Sequence, residues 1–497
     1  MESGVYLGLD HGGSTTTALV YAPGDGVLAR ASVRIPKQAP APGHVEHDPR
    51  DFLRTSLAAA HQALKSASLS WHDVRSVGIA NQGETSMAWS ADGKEVFGPA
   101  LSWEDRRTAA YCAALAPKGV DALVRQRTGV MLDPYFSASK FHWLTHEVPE
   151  AQRALQHGHL RLGGTDSFVI HHLTRGAVHA TDPATASRTA LLDIRKVDWD
   201  NGLLDAFGVG RAGLPEIRPT CGPFGIISHA EIPAQGIEIT ADAVDAHAAL
   251  FAHACFDQTT AKATYGTGAF IEVNTGRTLI EPDGVLPVFI AWKIDGKVDY
   301  TLEGGVFSVG SAIDWAVQME LLPSSAETAS LALSVSDTAG AFFVPSFTGL
   351  AAPHWVPTAR AMMSGIGLDT TKAHLARALL NGIAFACAEV IVTLNKRLNN
   401  TLTLVKADGG PSGNVYLMQR QADLLGIPVQ VSEEPDMTAL GAALMSAIGA
   451  GQLAAADVSS LLRSSRTYEP RVSGDEREFH WSQWRRGVQM VRELANQ

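Results

Sequence analysis

The chain is poor in cysteine, with four in 497 residues. Cys112, Cys221, Cys255 and Cys387 stand too far apart for a zinc ribbon or a redox pair, so buried free thiols in a reducing compartment are expected. Positive charge is not in excess. The 40 Lys and Arg against 51 Asp and Glu leave a net charge of -11, which argues against a general nucleic-acid surface. No apolar run approaches the roughly 20 residues that cross a bilayer. The first residues lack the basic segment and apolar core of a signal peptide. A cytoplasmic protein without nucleic-acid or membrane partners is therefore expected. Low-complexity tracts are also missing, so the domains should pack directly on one another. What remains is an ordinary globular composition, 45% hydrophobic and 18% charged. The length exceeds a single core and by itself suggests about three domains.

The stretch with the most chemistry is Val5 to Val20. Val5, Leu7 and Leu9 alternate with other residues, Gly12-Gly13 interrupts, and Ala18-Leu19-Val20-Tyr21 resumes the apolar character. This predicts a strand, a tight turn and a returning strand. Asp10 ends the first strand, and Ser14, Thr15, Thr16 and Thr17 follow the glycines. Glycine lets backbone N–H groups approach a phosphate closely, and an aspartate there suits Mg²⁺. Taken alone, these residues read slightly better as an ordinary hairpin with an aspartate in its turn.

Further along, Pro49 to Lys65 has helical spacing, and Val74 to Ala80 reads as a buried strand entering the polar turn Asn81-Gln82-Gly83-Glu84-Thr85-Ser86. In Trp103-Glu104-Asp105-Arg106-Arg107, the acids suit a helix start, while the arginines and Trp103 suit a pocket lining equally well. Tyr135 reads as a half-buried anchor. Gly163 to Leu173 reads as a turn and a short helix, Asp182 to Ala190 as a surface loop, and 208–240 as small β elements near a boundary. A helical stretch starts at Asp242. Lys262 to Val273 then repeats strand, Gly-x-Gly turn and strand, and Gly304-Gly305 resembles a second backbone-approach site opening a helix. Asp369 is a candidate cap for a long helix with a buried stripe from Leu375 to Leu394. Asp408-Gly409-Gly410-Pro411-Ser412-Gly413-Asn414 forms a glycine-rich strand-to-helix turn. Small residues dominate Thr438 to Ala450, which allows close helix packing, and 475–495 reads as a terminal amphipathic helix.

The informative feature is the repeated device. Neither a Walker P-loop nor a dinucleotide fingerprint in its strand-to-helix setting is present. Two glycine hairpins facing a nucleotide from two similar lobes is the plan of actin-like ATPases.

At this point the motifs carry a resemblance. Asn81-Gln82-x-Glu84-Thr85, Trp103-x-Asp105-Arg106-Arg107-Thr108, Leu132-Asp133-Pro134-Tyr135-Phe136-Ser137-Ala138, Lys262-Ala263-Thr264-Tyr265-Gly266-Thr267-Gly268, Leu302-Glu303-Gly304-Gly305, Phe347-Thr348-Gly349-Leu350 and Asp408-Gly409-Gly410 stand in one order. The chain resembles the FGGY carbohydrate kinases nearly end to end, and among them the glycerol kinases. The resemblance implies an α/β fold of two ribonuclease-H-like lobes around a central nucleotide cleft. It divides the chain into 1–244, holding the acceptor, and 245–497, holding the nucleotide. It implies ATP and Mg²⁺, a small polyol or sugar as substrate, and the homodimers common in the family. By the same resemblance Asp245 is the catalytic base and Asp10 the metal-linked carboxylate. Gly12, Gly13, Ser14, Thr15, Thr267, Gly310, Asp314, Gly410 and Asn414 match nucleotide-binding positions. Glu84 and Tyr135 match contacts to the acceptor hydroxyls, and Trp103 and Phe270 match its apolar walls.

Two departures fall in the acceptor pocket: Gly83 stands where glycerol kinases place an arginine, and Ala246 where they place a glutamine. Each removes a hydrogen-bond donor, and an unmet buried hydroxyl costs roughly 1–3 kcal/mol. Asp314 also occupies a glutamine position near the nucleotide, and Gly13, Thr17, His354 and Val356 depart elsewhere. The expectation is a kinase for a primary hydroxyl of a polyol or sugar larger than glycerol. A kinase for glycerol itself is the alternative, and a silent nucleotide- and sugar-binding sensor is the alternative outside catalysis.

Overall fold

A computed structural model describes residues 4–462 and 465–496. Strand Val5–His11 turns through Gly12–Ser14 into Thr15–Ala22, with the Gly12 amide donating to the Thr15 carbonyl at 3.0 Å. Gly26–Arg34 extends this antiparallel run. On its other edge Val5–His11 pairs in parallel with Val74–Asn81, which pairs in parallel with Glu238–Val244. Val5, Leu7, Leu9, Val77 and Ile79 are all buried, because this sheet is covered on both faces. Helix Pro49–Ser66, capped by Asp48 with proline in its first turn, lays Phe52, Leu57, Ala60 and Leu64 on one face. The other face is covered by helix Met437–Gly449, from the far end of the chain. A Cβ at Gly8 would run into the Ala439 carbonyl oxygen, and one at Gly78 into that of Ala442. The small residues of this helix thus permit backbone-to-sheet contact.

The second half repeats the arrangement. Hairpin Thr260–Tyr265 and Ala269–Gly276 continues antiparallel into Lys297–Val306 and Val288–Ile294. Leu404–Asp408 pairs in parallel with Thr260–Tyr265, as Val74–Asn81 does with Val5–His11. Val429–Ser432 and Ser465–Tyr468 complete seven strands. Helix Lys372–Arg397 packs on this sheet with Leu379, Ile383, Val390 and Leu394 buried.

Several expectations need correction. Asp182 to Ala190 is no surface loop. Every residue in it is buried, and Pro183–Ser187 is a helix whose cap is the Asp182 carboxylate, accepting from the Thr185 amide at 2.7 Å. The cap of the long helix is Thr371, not Asp369. That helix is also long and apolar enough to cross a membrane by length and composition, contrary to the reading that no run comes near; here it is a core helix. Gly304 and Gly305 lie within strand Lys297–Val306, and the helix opens later, at Gly310. Between 208 and 240 the regular β structure is the short strand Glu216–Ile217 and the beginning of Glu238–Val244. All four cysteines are free thiols, but Cys221 is only partly buried.

Candidate active site

The residues matched to the nucleotide lie on the two hairpin turns and two further turns. In the first turn Ser14 and Thr15 are exposed, whereas Thr16 and Thr17 are buried. The Thr16 hydroxyl lies 2.7 Å from that of Thr55, and Thr17 lies 2.9 Å from Ser32. Two of the four hydroxyls are therefore engaged inside the lobe, one with helix Pro49–Ser66 and one with the neighbouring strand. Gly13 sits beneath the Trp103 indole, 3.6 Å from where its Cβ would be. In the second turn Thr267 is exposed, and its carbonyl accepts from the amides of Val309 at 2.9 Å and Ser311 at 3.1 Å. Gly310 follows the same logic, because a Cβ there would lie 2.6 Å from the Gly266 carbonyl oxygen. The turn is thereby fastened to the N-terminus of helix Gly310–Gln318, which also exposes Asp314. Gly410 is exposed with open space around it. Asn414 is a helix cap: its Oδ1 accepts from Tyr416 and Leu417 amides at 3.1 and 3.0 Å, and its Nδ2 donates to Thr328. Its side chain is engaged within the protein.

Asp10 lies near the end of strand Val5–His11 and Asp245 directly after Glu238–Val244, two parallel strands of the first sheet with Val74–Asn81 between them. Asp10 is half-buried, with Oδ1 lacking any hydrogen-bond partner. Burial, then the negative charges of Asp245 and Asp436, raise its pKa well above the usual carboxylate range. Asp245 opens helix Asp245–Ala252, where its Oδ1 accepts from the Ala246 amide at 2.6 Å. Burial raises its pKa, opposed by that hydrogen bond and by Arg188 and Lys262. Ala246, beside it, is half-buried.

The remaining acceptor-side residues also meet. Trp103 contacts Tyr135 and Phe270 edge-to-face, with centroids 5.9 and 6.2 Å away. Tyr135 feels the charges of Glu84, Glu303, Arg188 and Asp245, so its hydroxyl shares their surroundings. Gly83 has φ +76°, a left-handed turn that suits glycine, and its amide donates to Asn81 Oδ1 at 2.9 Å. Glu84 is buried, and burial pushes its pKa up to about 7 against the pull of Arg188.

Sequence reasoning gave no role to the groups packed beneath this pocket. Arg188 Nη1 donates to Glu84 at 3.2 Å and to Glu303 at 3.1 Å, and Nη2 bonds Glu303 again. Its stem fills the side-chain direction at Gly83, with Cγ 3.5 Å from a Cβ placed there. Lys262 Nζ lies 3.3 Å from Glu272, and Lys140 Nζ donates to the Glu84 carbonyl at 3.1 Å. The signal in this stretch was the Asp182-Pro183 pair, a cap followed by a first-turn proline, which marks a helix start rather than a loop. The other two arginines are engaged with carboxylates: Arg107 pairs with Asp105 and Glu46, and Arg106 with Asp133.

Two repeated lobes, each built on a strand–glycine turn–strand hairpin, define an actin-like ATPase fold. The family models agree. FGGY family of carbohydrate kinases, N-terminal domain, matches residues 5–252, and the C-terminal domain of the same family matches residues 261–450. The chain belongs to the FGGY carbohydrate kinases, ATP-dependent phosphotransferases with alcohol acceptors. A glycerol kinase of Thermus brockianus is 41% identical over 490 residues, covering 98% of both chains. One of Ralstonia pickettii is 40% identical over 489 residues with the same coverage. Among solved structures, Plasmodium falciparum glycerol kinase with ADP aligns with a TM-score of 0.92 at 28% identity over 98% of each chain. Gluconate kinase from Lactobacillus acidophilus, at 19% identity and TM-score 0.87, shares the fold.

Proposed function

We propose that the protein transfers the γ-phosphoryl group of ATP to a terminal hydroxyl of a small polyol, with glycerol as its acceptor. The observation that carries this reading is Arg188. Its stem lies 3.5 Å from a Cβ placed at Gly83 and its guanidinium donates to Glu84, so a cation stands beside Glu84 although residue 83 carries no side chain. The full-length similarity to proteins named glycerol kinase supports the same acceptor.

In this reading Glu84 and Tyr135 orient the acceptor hydroxyls, and Trp103 and Phe270 exclude water from its carbon chain. Asp245 accepts the proton of the attacking hydroxyl. Its raised pKa suits that task, and positioning supplies more of the rate than deprotonation because the transition state is loose. Backbone amides around Gly12–Thr15 and Thr267, with the Gly310 helix start, receive the phosphates. The family implies Mg²⁺ with the nucleotide, and Asp10 fits it. Its orphaned Oδ1 and the negative field of Asp245 and Asp436 mark a place where a divalent cation would neutralise charge and hold phosphate oxygens. A cytoplasmic setting goes with this metabolic reading.

The second reading, an acceptor larger than glycerol, is favoured by Ala246, a half-buried methyl beside Asp245. An ADP-coupled screen across C3 to C7 polyols, ketoses and aldoses separates the two. Glycerol ranking first in kcat/KM supports the proposal, and a longer acceptor ranking clearly above it overturns it.

A further inference from the structure

We propose that Arg188 is a positioning residue that keeps the Glu84 carboxylate ionised for the acceptor and ties it to Glu303 of the second sheet. The inference rests on the reading of Glu84 as an acceptor contact.

The geometry is that of a clamped guanidinium. The Arg188 side chain is 3% exposed, and its carbon Cζ lies 3.8 Å above the Phe289 ring centroid. Nη1 serves Glu84 and Glu303; Nη2 serves Glu303 and stands 3.2 Å from His247 Nε2 and 3.5 Å from Glu272 Oε1. His247 can accept that bond, because burial and the nearby Arg188 and Lys262 charges keep its imidazole neutral. With its plane fixed by stacking and both terminal nitrogens engaged, the guanidinium cannot swing away from Glu84.

The charges around Glu84 make this contact decisive. Arg188 and Lys140 favour its ionised form, while Glu303 and Asp245 oppose it, and the Tyr135 hydroxyl shares the pocket. Removing the guanidinium would leave one cation against two carboxylates and the full cost of burial, so Glu84 would take up a proton. A protonated carboxyl keeps its carbonyl acceptor but turns its other oxygen into a donor, so it offers the acceptor hydroxyls one accepting oxygen fewer and no charge. Arg188 also joins segments of different origin. Glu84 follows strand Val74–Asn81 of the first sheet, whereas Glu303 lies on Lys297–Val306, which leads into the Gly310 helix start beside the Thr267 turn. His247, Glu272 and Glu303 have ligand-type atoms within 4.8 Å of one another. With Arg188 and Lys262 already among them, they form the cradle of a guanidinium rather than a metal site.

The test is initial-rate kinetics of wild type, Arg188→Gln and Arg188→Lys with the best polyol from the acceptor screen, from about pH 5.5 to about pH 9. In wild type, acceptor kcat/KM should rise as Glu84 ionises near pH 7. In Arg188→Gln the rise should move to higher pH, with acceptor KM at neutral pH up about ten- to hundredfold and ATP KM changed far less. Arg188→Lys, which keeps the charge but loses the fork, should hold the wild-type position of the rise with an intermediate KM. A glutamine variant whose pH profile coincides with wild type, or whose two KM values rise equally, overturns the proposal. A lysine variant with wild-type acceptor KM overturns it too. Should the wild type turn over no polyol at all, the kinase reading fails instead, and the two failures are distinct.

Discussion

Lys140 holds its ammonium 2.6 Å from the carbonyl oxygen of Tyr135, and the same nitrogen reaches back to the Glu84 carbonyl. One fully buried cation therefore joins the backbones at Glu84 and Tyr135, and burial lowers its pKa to about 8. Hydrogen bonds from a charged donor contribute roughly 1.5–3 kcal/mol each. Lys140→Met should lower urea-unfolding stability by about 2 kcal/mol or more and raise acceptor KM well beyond ATP KM. A methionine variant with native stability and native KM would show that the clamp is dispensable.

Asp245→Asn removes the proposed base while keeping its size and its contact with the Ala246 amide. General-base contributions are about 10²–10⁴-fold, so ADP production with saturating acceptor should fall by that order. ATP affinity, followed by equilibrium titration, should stay close to wild type. Retention of most of the turnover would move the base elsewhere.

Gly83→Ala probes why the turn has no side chain. Its Cβ would meet Arg188 and Val244 only at 3.5 to 3.7 Å, ordinary contact distances. The cost should come from the left-handed backbone, about 1–2 kcal/mol. Thermal melts should register that loss while the order of preferred acceptors stays the same. A changed order would mean the empty position selects the substrate directly.

His11 is wholly buried, and burial lowers its pKa to about 3. Once the pH falls below about 6.5, the unfolded chain protonates this imidazole and the folded chain does not, so its contribution to stability declines until the pH reaches the folded value. Other buried groups titrate in the same range, so the comparison must be with His11→Gln. Wild type should lose about 1.4 kcal/mol per pH unit relative to that variant over this window. Parallel stability curves for the two proteins would refute it.

The hairpins and the helix stripe from Leu375 to Leu394 were legible because each depends on local pattern: alternation, paired glycines, or spacing of three and four. The stretch from Asp182 to Arg188 was not. Thr, Ser and Ala read as solvent-facing, yet Thr181 bonds Asp166 at 2.6 Å, Thr185 accepts from Asn81 at 2.8 Å, and Asp182 accepts from Thr220 at 2.8 Å. These hydroxyls are satisfied inside the protein by carboxylates and an amide, an arrangement decided by partners distant in sequence. Arg188 was missed for the same reason. Its partners Glu84, His247, Glu272 and Glu303 come from four separate segments, and no spacing announces that they converge. Asn414 shows what a motif match does not reveal: its side chain caps its own helix through Oδ1 and reaches Thr328 through Nδ2.

Helix Met437–Gly449 seals a sheet whose last strand ends at Val244. During synthesis, therefore, the opening strands must wait through most of the second half of the polypeptide before their apolar surface is covered. A fragment stopped before this helix would expose that surface to water, and a partly made chain depends on chaperones or on rapid completion to escape self-association.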